Sequence, residues 1–298
     1  MADSCYNGLM IKNPLLAALK GKTAIPAFNF YNLESLRAII SAADAARRPV
    51  ILAATESAMA YMGDDFLSWV AARICGASRI LHLDHGRSFE SCKRAITLGF
   101  QSVMIDGAAL PWNENVRLTR RVVEYAHKHG VLVEAELGAI GGAKDGVDGK
   151  GGEFTDPAKA KKFVESTGCD WLAVAIGTTH GAYKGSGKLR MDILEKIHEA
   201  VPKTPLVLHG ASQIPPKYAR ALGLAKAAGI PAAEIRRATK LGVAKVNIDS
   251  DARLAWTATM KQAFAQGSEN FDPRHYLALA SSEMIRLYKE EIKIICGA

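Results

Sequence analysis

The chain has 298 residues, of which 49% are hydrophobic and 23% are charged, and its formal net charge is +8. This composition is typical of a globular protein and excludes disordered, collagenous and coiled-coil architectures. No apolar run approaches the ~20 residues of a membrane-spanning helix, and the amino terminus lacks the layout of a secretory signal. The five scattered cysteines include no Cys-x-x-Cys pair, so we expect free thiols and a cytoplasmic protein without a membrane partner.

The positive charge raises the question of a nucleic-acid partner. A nucleic-acid-binding surface concentrates lysine and arginine on one face, whereas here the basic residues are spread along the chain. A small phosphorylated substrate explains the sign of the charge equally well. We therefore expect no nucleic-acid partner.

Eight short apolar runs predict parallel strands that are buried on both faces. In chain order these runs are 24–30, 50–55, 79–84, 102–106, 131–137, 171–176, 205–209 and 245–249. A helical pattern follows each run, with capping residues such as Asn32, Ser88 and Asp156 at helix starts. Eight such units predict an α/β fold, a (β/α)₈ TIM barrel that forms one domain over residues 1–298. An open doubly wound sheet is disfavoured because no G-x-G-x-x-G turn follows the first strand.

Two segments depart from a bare barrel. Residues 138–156 contain seven glycines, which predicts a mobile loop over the rim. Residues 273–295 predict a long amphipathic helix after the eighth strand, and extra C-terminal helices of this kind are suited to subunit contacts. We therefore expect a homo-oligomer, either a dimer or a tetramer.

Polar or ionisable residues stand at the carboxyl end of every predicted strand. In chain order they are Asn29, Thr55, Asp84 with His85, Asp106, Glu134 with Glu136, His180, His209, and Asn247 with Asp249. The carboxyl ends of all barrel strands open on one rim, where barrel enzymes hold their catalytic groups. A purely structural barrel has no need for this bias, so we predict the active site at that rim.

Three of the strand-end residues are histidines, and three protein ligands with one open position are common in catalytic zinc sites. We predict that His85, His180 and His209 bind Zn²⁺. Asp84 is next to a ligand and is suited to general acid–base catalysis, or alternatively to orienting a histidine. His82, two residues earlier in the same strand, is interpreted as structural.

Glycines, hydroxyls and a lysine follow the sixth, seventh and eighth strands, where barrels often bind phosphate. The predicted substrate-binding residues at the rim are Asn29, Thr55, Gly181, Lys184, Gly210, Ser212, Asn247, Asp249 and Ser250. A metal beside a phosphorylated ketone indicates enolate chemistry, in which a carbon–carbon bond is made or broken. A Schiff-base route needs a lysine at a strand end, and we expect Lys245 on the opposite face of the barrel.

Seven ordered motifs resemble the class II, zinc-dependent ketose-bisphosphate aldolases, which include fructose-1,6-bisphosphate and tagatose-1,6-bisphosphate aldolases. The motifs are Pro26–Asn29, His82–Gly86, Ile105–Gly107, Glu134–Gly138, Ala175–Gly181, Leu208–Ser212 and Lys245–Asp249. The resemblance runs from about residue 24 to the C-terminus.

This resemblance implies a glycolytic type of reaction, the reversible cleavage of a ketose 1,6-bisphosphate, with fructose 1,6-bisphosphate favoured. The products would be dihydroxyacetone phosphate and glyceraldehyde 3-phosphate, formed through a zinc-stabilised enediolate. By similarity, Asp84 would transfer the proton of the C4 hydroxyl, and Asp106 and Glu136 match positions of a second metal site. Arg274 resembles an arginine that reaches the other phosphate from a neighbouring subunit.

One departure concerns the glycine-rich loop. Many family members carry a glutamate after its paired glycines, whereas this chain reads Ala143-Lys144-Asp145. A lysine does not replace a carboxylate base, so Asp145 or Glu153 takes that role, the substrate differs, or activity is reduced. Four alternatives therefore stay open: a tagatose bisphosphate aldolase, an aldolase of a related phosphoketose, a metal-dependent hydrolase using the same histidines, and a catalytically silent binding protein.

Overall fold

The computed structural model describes residues 13–138, 141–144, 147–149, 154–180, 188–224, 227–266 and 270–297. For residues 141–144, 147–149 and 180 the description covers the backbone alone. The strands are β1 (Ile25–Asn29), β2 (Val50–Thr55), β3 (Arg79–Gly86), β4 (Ser102–Ile105), β5 (Leu132–Leu137), β6 (Gly141–Lys144), β7 (Val147–Gly149), β8 (Trp171–Val174), β9 (Thr179–His180), β10 (Leu206–Leu208) and β11 (Val243–Ile248).

The helices alternate with these strands along the chain. They are α1 (Pro14–Lys20), α2 (Leu33–Ala46), α3 (Glu56–Met62), α4 (Asp64–Arg73), α5 (Phe89–Thr97), α6 (Trp112–Lys128), α7 (Pro157–Thr167), α8 (Met191–Ala200), α9 (Pro216–Ala221), α10 (Ala232–Lys240), α11 (Ser250–Ala265) and α12 (Pro273–Cys296). None of the helices in the described ranges combines the length and the apolar character that crossing a bilayer requires.

Eight of the strands pair in parallel into a closed barrel, in the order β1-β11-β10-β8-β5-β4-β3-β2. Each predicted apolar run overlaps one of these strands, so the predicted (β/α)₈ barrel with an extra C-terminal helix is confirmed. The predicted caps are also present, since the side chains of Asn32, Ser88 and Asp156 accept hydrogen bonds from backbone N–H groups at the starts of α2, α5 and α7.

The core has two parts. The larger part lies between the strands and the surrounding helices, as expected for a sheet covered on its outer face. The smaller part fills the amino-terminal half of the barrel interior, where Leu15 of α1 packs with Ile25, Ile80 and Trp171. The indole Nε1 of Trp171 donates to Asn13 Oδ1 at 2.8 Å, so α1 closes this end of the barrel.

A second, small sheet has the order β7-β6-β9, with β6 and β7 antiparallel and β6 and β9 parallel. Part of the segment that was predicted as a mobile loop therefore forms two short paired strands, at 141–144 and 147–149. Gly142 pairs in register with His180, which ties β6 to the segment after the sixth barrel strand. The mobility of this segment stays a prediction.

Helix α12 packs against α2 and α11 of its own chain. At its contact with α11, two buried carboxyl groups meet, Asp251 and Glu291. Asp251 accepts the backbone N–H groups of Gln213 and Ile214 at 2.7 and 2.6 Å. The Gln213 side-chain amide donates to Glu291 at 2.7 Å. The two C-terminal helices therefore hold the segment that follows β10.

Stability should depend on pH through this carboxyl pair. Burial, followed by repulsion from Asp251, raises the pKa of Glu291 well above its usual value. The stabilising contribution of protonated Glu291 is thus fully present below the usual carboxyl pKa and is lost as pH rises through the raised value. We expect the melting temperature of the wild type to fall more steeply towards alkaline pH than that of Glu291→Gln. The matched control is Glu290→Gln at an exposed neighbour, and equal pH slopes for wild type and Glu291→Gln would contradict the prediction.

Candidate active site

A bulge at the end of β3 brings two neighbouring side chains to the same place. The pairing of β3 with β4 shifts between Leu83 and Gly86, and His85 has a positive φ of 51°. Consecutive residues of a regular strand face opposite sides of the sheet, and a bulge re-aims one of them. As a result, His85 Nε2 lies 4.0 Å from Asp84 Oδ1 at the mouth of the barrel.

The Asp84 carboxylate is buried and held on both oxygens. Asn29 of β1 donates from Nδ2 to Oδ2 at 2.9 Å, and Asn247 of β11 donates from Nδ2 to Oδ1 at 3.0 Å. Burial alone would raise the pKa of Asp84, but His85 and His209 hold it below its usual range. Asp84 is therefore an oriented, ionised carboxylate that can accept a proton from a bound molecule.

The two predicted zinc ligands whose side chains are described, His85 and His209, each have a carboxylate behind them. His209 Nε2 lies 2.8 Å from Glu134 Oε1, and His85 Nδ1 lies 2.9 Å from Asp106 Oδ2. The ring centroids of the two histidines are 4.7 Å apart. A carboxylate on one ring nitrogen fixes the tautomer of a metal-binding imidazole and leaves its other nitrogen for the ion.

These donors fit a divalent cation. Asp84, His85 and His209 each offer one ligand atom, and the three atoms lie within 4.8 Å of one another. His85, Asp106 and Glu136 form a second such group. Nitrogen and carboxylate oxygen are suitable ligands for zinc. Two of the three predicted zinc ligands, His85 and His209, therefore lie in one group of potential ligand atoms, together with Asp84.

Glu136 lies between the two imidazoles, with Oε2 at 3.5 Å from His209 Nδ1 and 3.8 Å from His85 Nδ1. Burial alone would lower the pKa of His209, but Glu134 and Glu136 raise it to about 9. The carboxylates thus favour a positive charge at this position. Asp106 lies behind His85 through Oδ2 and accepts the backbone N–H of Ala108 with Oδ1 at 3.2 Å.

The structure does not describe the side chains of three predicted site residues. The backbone of His180 pairs within the small sheet, but its side chain is outside the described residues. Gly181 and Lys184 are outside them altogether. The same holds for Asp145 and Glu153, the two candidates for the missing loop carboxylate.

The segments after β10 and β11 supply the predicted phosphate-binding positions. Gly210 has a positive φ of 60°, and a Cβ at this position would lie 2.6 Å from the carbonyl oxygen of Thr179. Glycine is thus required where this segment passes β9, and Ser212 follows largely buried. Helix α11 begins at Ser250, with Asp249 as its N-cap residue, and helix N-termini favour phosphate groups.

Thr55 and Arg274 are predicted substrate-binding residues, and the side-chain contacts described for them are to residues nearby in sequence. Thr55 Oγ1 accepts the backbone N–H of Ala58 at 3.3 Å and caps α3. Arg274 is 87% exposed at the start of α12 and pairs with Asp272 at 2.6 Å. The backbone of Thr55 nonetheless pairs in register with that of Asp84, which places Thr55 at the barrel mouth. No contact described for Arg274 brings it to the metal-binding groups.

A network of buried polar side chains lies beneath the site, and the sequence patterns did not predict it. Lys245 Nζ lies 2.7 Å from Glu134 Oε2 and 3.3 Å from His82 Nε2, and His82 Nδ1 lies 2.8 Å from Ser102 Oγ. The expectation that Lys245 lies on the opposite face is wrong, because its side chain is fully buried inside the barrel. The strand alternation contained the signal, since Lys245 is two residues from Asn247 and shares its face.

Burial and the neighbouring charges determine the protonation states in this network of polar side chains. Burial, and then Lys245, lower the pKa of His82 to about 3, so His82 is neutral. Burial alone would raise the pKa of Glu134, but Lys245 and His209 lower it to about 2. Glu134 and Lys245 therefore form an ion pair inside the barrel.

Zinc should stabilise the folded protein through His85 and His209. Adding Zn²⁺ to chelator-treated protein should raise the melting temperature, because a ligand at 100 times its Kd stabilises by about 2.7 kcal/mol. We expect His85→Asn to lose most of this shift, whereas the exposed control His129→Asn should retain it. An unchanged shift in His85→Asn, measured by scanning calorimetry, would exclude His85 as a ligand.

The sequence is similar to one protein family over nearly its whole length. The family described as "Fructose-bisphosphate aldolase class-II" matches residues 10–298. Fructose-bisphosphate aldolase from Treponema pallidum is 42% identical, with 98% of this chain and 97% of the relative covered. Fructose-bisphosphate aldolase from Thermus caldophilus is 44% identical, with 91% and 92% covered.

Among solved structures, the YdjI aldolase from Escherichia coli K12 superposes with a TM-score of 0.76 and 33% identity, covering 94% of each chain. The family match extends over nearly the whole chain and includes every strand that forms the site. This chain therefore belongs to the class II fructose-bisphosphate aldolase family and is an aldolase, an enzyme of the lyase class.

Proposed function

We propose that the preferred substrate is fructose 1,6-bisphosphate, cleaved reversibly to dihydroxyacetone phosphate and glyceraldehyde 3-phosphate. The observation that carries this proposal is the placement of Asp84, an ionised carboxylate held by two carboxamides beside two carboxylate-backed imidazoles. The relatives from Treponema pallidum and Thermus caldophilus, both named fructose-bisphosphate aldolase, support the choice of sugar.

We propose Zn²⁺ as the cofactor, held by His85, His180 and His209. When bound, it would polarise the ketose carbonyl and offset the negative charge that develops as the carbon–carbon bond breaks. Asp106 and Glu136 are proposed as ligands of a second or alternative position, since they group with His85. The carboxylates behind His85 and His209 support these two histidines as zinc ligands.

Asp84 acts on the proton of the C4 hydroxyl. During cleavage the carboxylate takes this proton as the bond between C3 and C4 breaks, and in the condensation it returns the proton to the new hydroxyl. Asn29 and Asn247 fix both carboxylate oxygens, which limits the directions from which the proton can be taken. The proton at the dihydroxyacetone-phosphate carbon is assigned to Asp145 or Glu153 of the glycine-rich segment.

The phosphate of the dihydroxyacetone end is assigned to the segments after β10 and β11. A backbone in which only glycine fits, and the N-terminus of a 16-residue helix, are both suited to an anion. The residues proposed to contact substrate are Asn29, Thr55, Gly181, Lys184, Gly210, Ser212, Asn247, Asp249 and Ser250.

We place the enzyme in the cytoplasm, as one domain over residues 1–298 with a role in carbohydrate metabolism. The cysteines in the described part of the chain are all unpaired, which suits a reducing compartment.

Zinc-loaded protein should cleave fructose 1,6-bisphosphate faster than tagatose 1,6-bisphosphate in a coupled assay that is run on both sugars side by side. Chelator should abolish cleavage, whereas borohydride added with substrate should leave activity intact because no Schiff base forms. Asp84→Asn should lower turnover by about 10²–10⁴ while zinc content stays at the wild-type level. Full activity in chelator would reject the metal-dependent route.

The same assay separates the alternatives. Preference for the tagatose epimer or another phosphoketose would change the substrate and keep the mechanism. A metal-dependent hydrolase would release phosphate without exchanging solvent protons into dihydroxyacetone phosphate. A silent binding protein would retain its fold, show no turnover and contain no zinc.

We propose a homo-oligomer, a dimer or tetramer, in which Arg274 reaches the second phosphate in a neighbouring subunit. Phe271, three residues before Arg274, is 96% exposed, and Phe264 is 59% exposed near the end of α11. Exposed aromatic side chains of this kind are suited to a subunit contact. Arg274 itself is exposed and has its described partner within its own turn, which fits a role outside its own barrel.

Mixing two inactive variants tests this assignment. In a dimer with Arg274 acting across subunits, Arg274→Ala and Asp84→Asn should each be nearly inactive, and their 1:1 mixture should recover about a quarter of wild-type activity. The mixture requires subunit exchange, which is verified by light scattering with differently tagged chains. A mixture that exchanges subunits and stays inactive would place Arg274 in its own subunit's site or outside the site.

A further inference from the structure

We propose that Lys245 is a positioning residue for the metal ligand His209, and that it acts through Glu134. The inference rests on the proposed metal-dependent function. Glu134 accepts from His209 Nε2 with one carboxylate oxygen and from Lys245 Nζ with the other, at 2.8 and 2.7 Å. Lys245 therefore reaches the metal site through one intervening carboxylate, without contacting the ion itself.

Charge balance is the first reason. The side chains of Glu134, Lys245 and His209 are all fully buried. A carboxylate in such a place is costly unless an opposite charge compensates it, and removal of one partner from a buried pair costs several kcal/mol. The ammonium group of Lys245 contacts Glu134 directly, at 2.7 Å from Oε2. It allows a charged acceptor to stand behind His209.

The second reason is the choice of ring nitrogen. An acceptor at Nε2 keeps the hydrogen on that nitrogen, which leaves the Nδ1 lone pair for the ion. His209 Nδ1 faces the site, at 3.5 Å from Glu136 Oε2. Without a fixed acceptor at Nε2 the ring could rotate or take the other tautomer, and the ligand atom would move.

The third reason is that Lys245 is itself held from two sides. His82 Nε2 lies 3.3 Å from Lys245 Nζ, and His82 Nδ1 is 2.8 Å from Ser102 Oγ. With its Nδ1–H donated to Ser102, neutral His82 accepts from the ammonium group. A positioned ammonium group in turn fixes the Glu134 carboxylate. The contacts thus run from Ser102 on β4 to the imidazole of His209 after β10.

The experiment compares Lys245→Met, Glu134→Gln and the double variant. Lys245→Met leaves the Glu134 carboxylate without its counter-charge, so we expect zinc affinity to fall about 10–100-fold. In the double variant the glutamine oxygen still accepts from His209 and carries no charge that needs Lys245. Its zinc affinity should therefore return to within about threefold of that of Glu134→Gln alone. The surface control Lys289→Met should bind zinc like the wild type.

Zinc affinity is measured by competition with a chromophoric chelator, and ligand geometry by the visible absorption of the Co²⁺-loaded protein. Lys245→Met should change the cobalt spectrum, and the double variant should restore it. Wild-type affinity and spectrum in Lys245→Met would overturn the proposal. A double variant that binds no better than Lys245→Met would show that Lys245 acts through packing.

If Lys245→Met does not fold, the double variant, which buries no charge at these positions, is compared directly with Glu134→Gln, and a loss beyond tenfold overturns the proposal. Zinc binding and bisphosphate cleavage are measured separately. Wild-type protein that binds zinc but cleaves no bisphosphate would refute the proposed substrate and leave the role of Lys245 standing.

Discussion

Buried carboxylates are the constraint on which the rest of the site depends. Asp84, Glu134 and Glu136 are all shielded from solvent within one barrel mouth, where each ionised group requires compensation. The chain supplies carboxamides for Asp84, an ammonium group for Glu134, and imidazoles around Glu136. A divalent cation would complete this balance, so the electrostatics and the donor geometry indicate the same occupant.

Residues of the same type have different roles when they lie at different depths inside the barrel. Glu134 and Glu136 lie two residues apart on one face of β5. Glu134 contacts Lys245 below it and the His209 imidazole above it, whereas Glu136 lies between the imidazoles of His85 and His209. His82 and His85 differ in the same way. His82 is neutral and bonded to Ser102 within the barrel, whereas the bulge at the end of β3 turns His85 into the mouth. Composition alone therefore does not assign the chemistry.

Much of the site could be predicted because parallel strands of a barrel read as apolar runs with functional residues at one end. Asp84, His85 and His209 were placed by that rule, and the structure brings them together. The register shift before Gly86 was not predictable, because it arises from pairing with β4 and not from the composition of β3. The sequence placed Asp84 and His85 as neighbours at the end of one strand, without the bulge that re-aims one of them.

Other structural features could not be predicted from the sequence, for different physical reasons. Strands β6 and β7 are rich in glycine, which disfavours strands, and β6 pairs with the distant β9 segment. Helix α1 is only seven residues long, and it is held by tertiary contacts such as the one from Trp171 to Asn13. Lys245 was expected on the opposite face of the barrel because it opens the eighth predicted run. A lysine is rarely fully buried unless it is paired. Its partner, Glu134, comes from another strand.

The segment after β10 connects the two halves of the proposed chemistry. His209 begins it, Gly210 and Ser212 follow, and Asp251 clamps its end by accepting two consecutive backbone N–H groups. The first residue is a proposed metal ligand and the next ones are proposed to bind phosphate, so one rigid segment sets the distance between the two subsites. In a ketose bisphosphate, the carbonyl and the neighbouring phosphate are likewise separated by a short covalent span. A segment clamped at both ends can select that spacing because its own conformation does not have to be ordered when substrate binds.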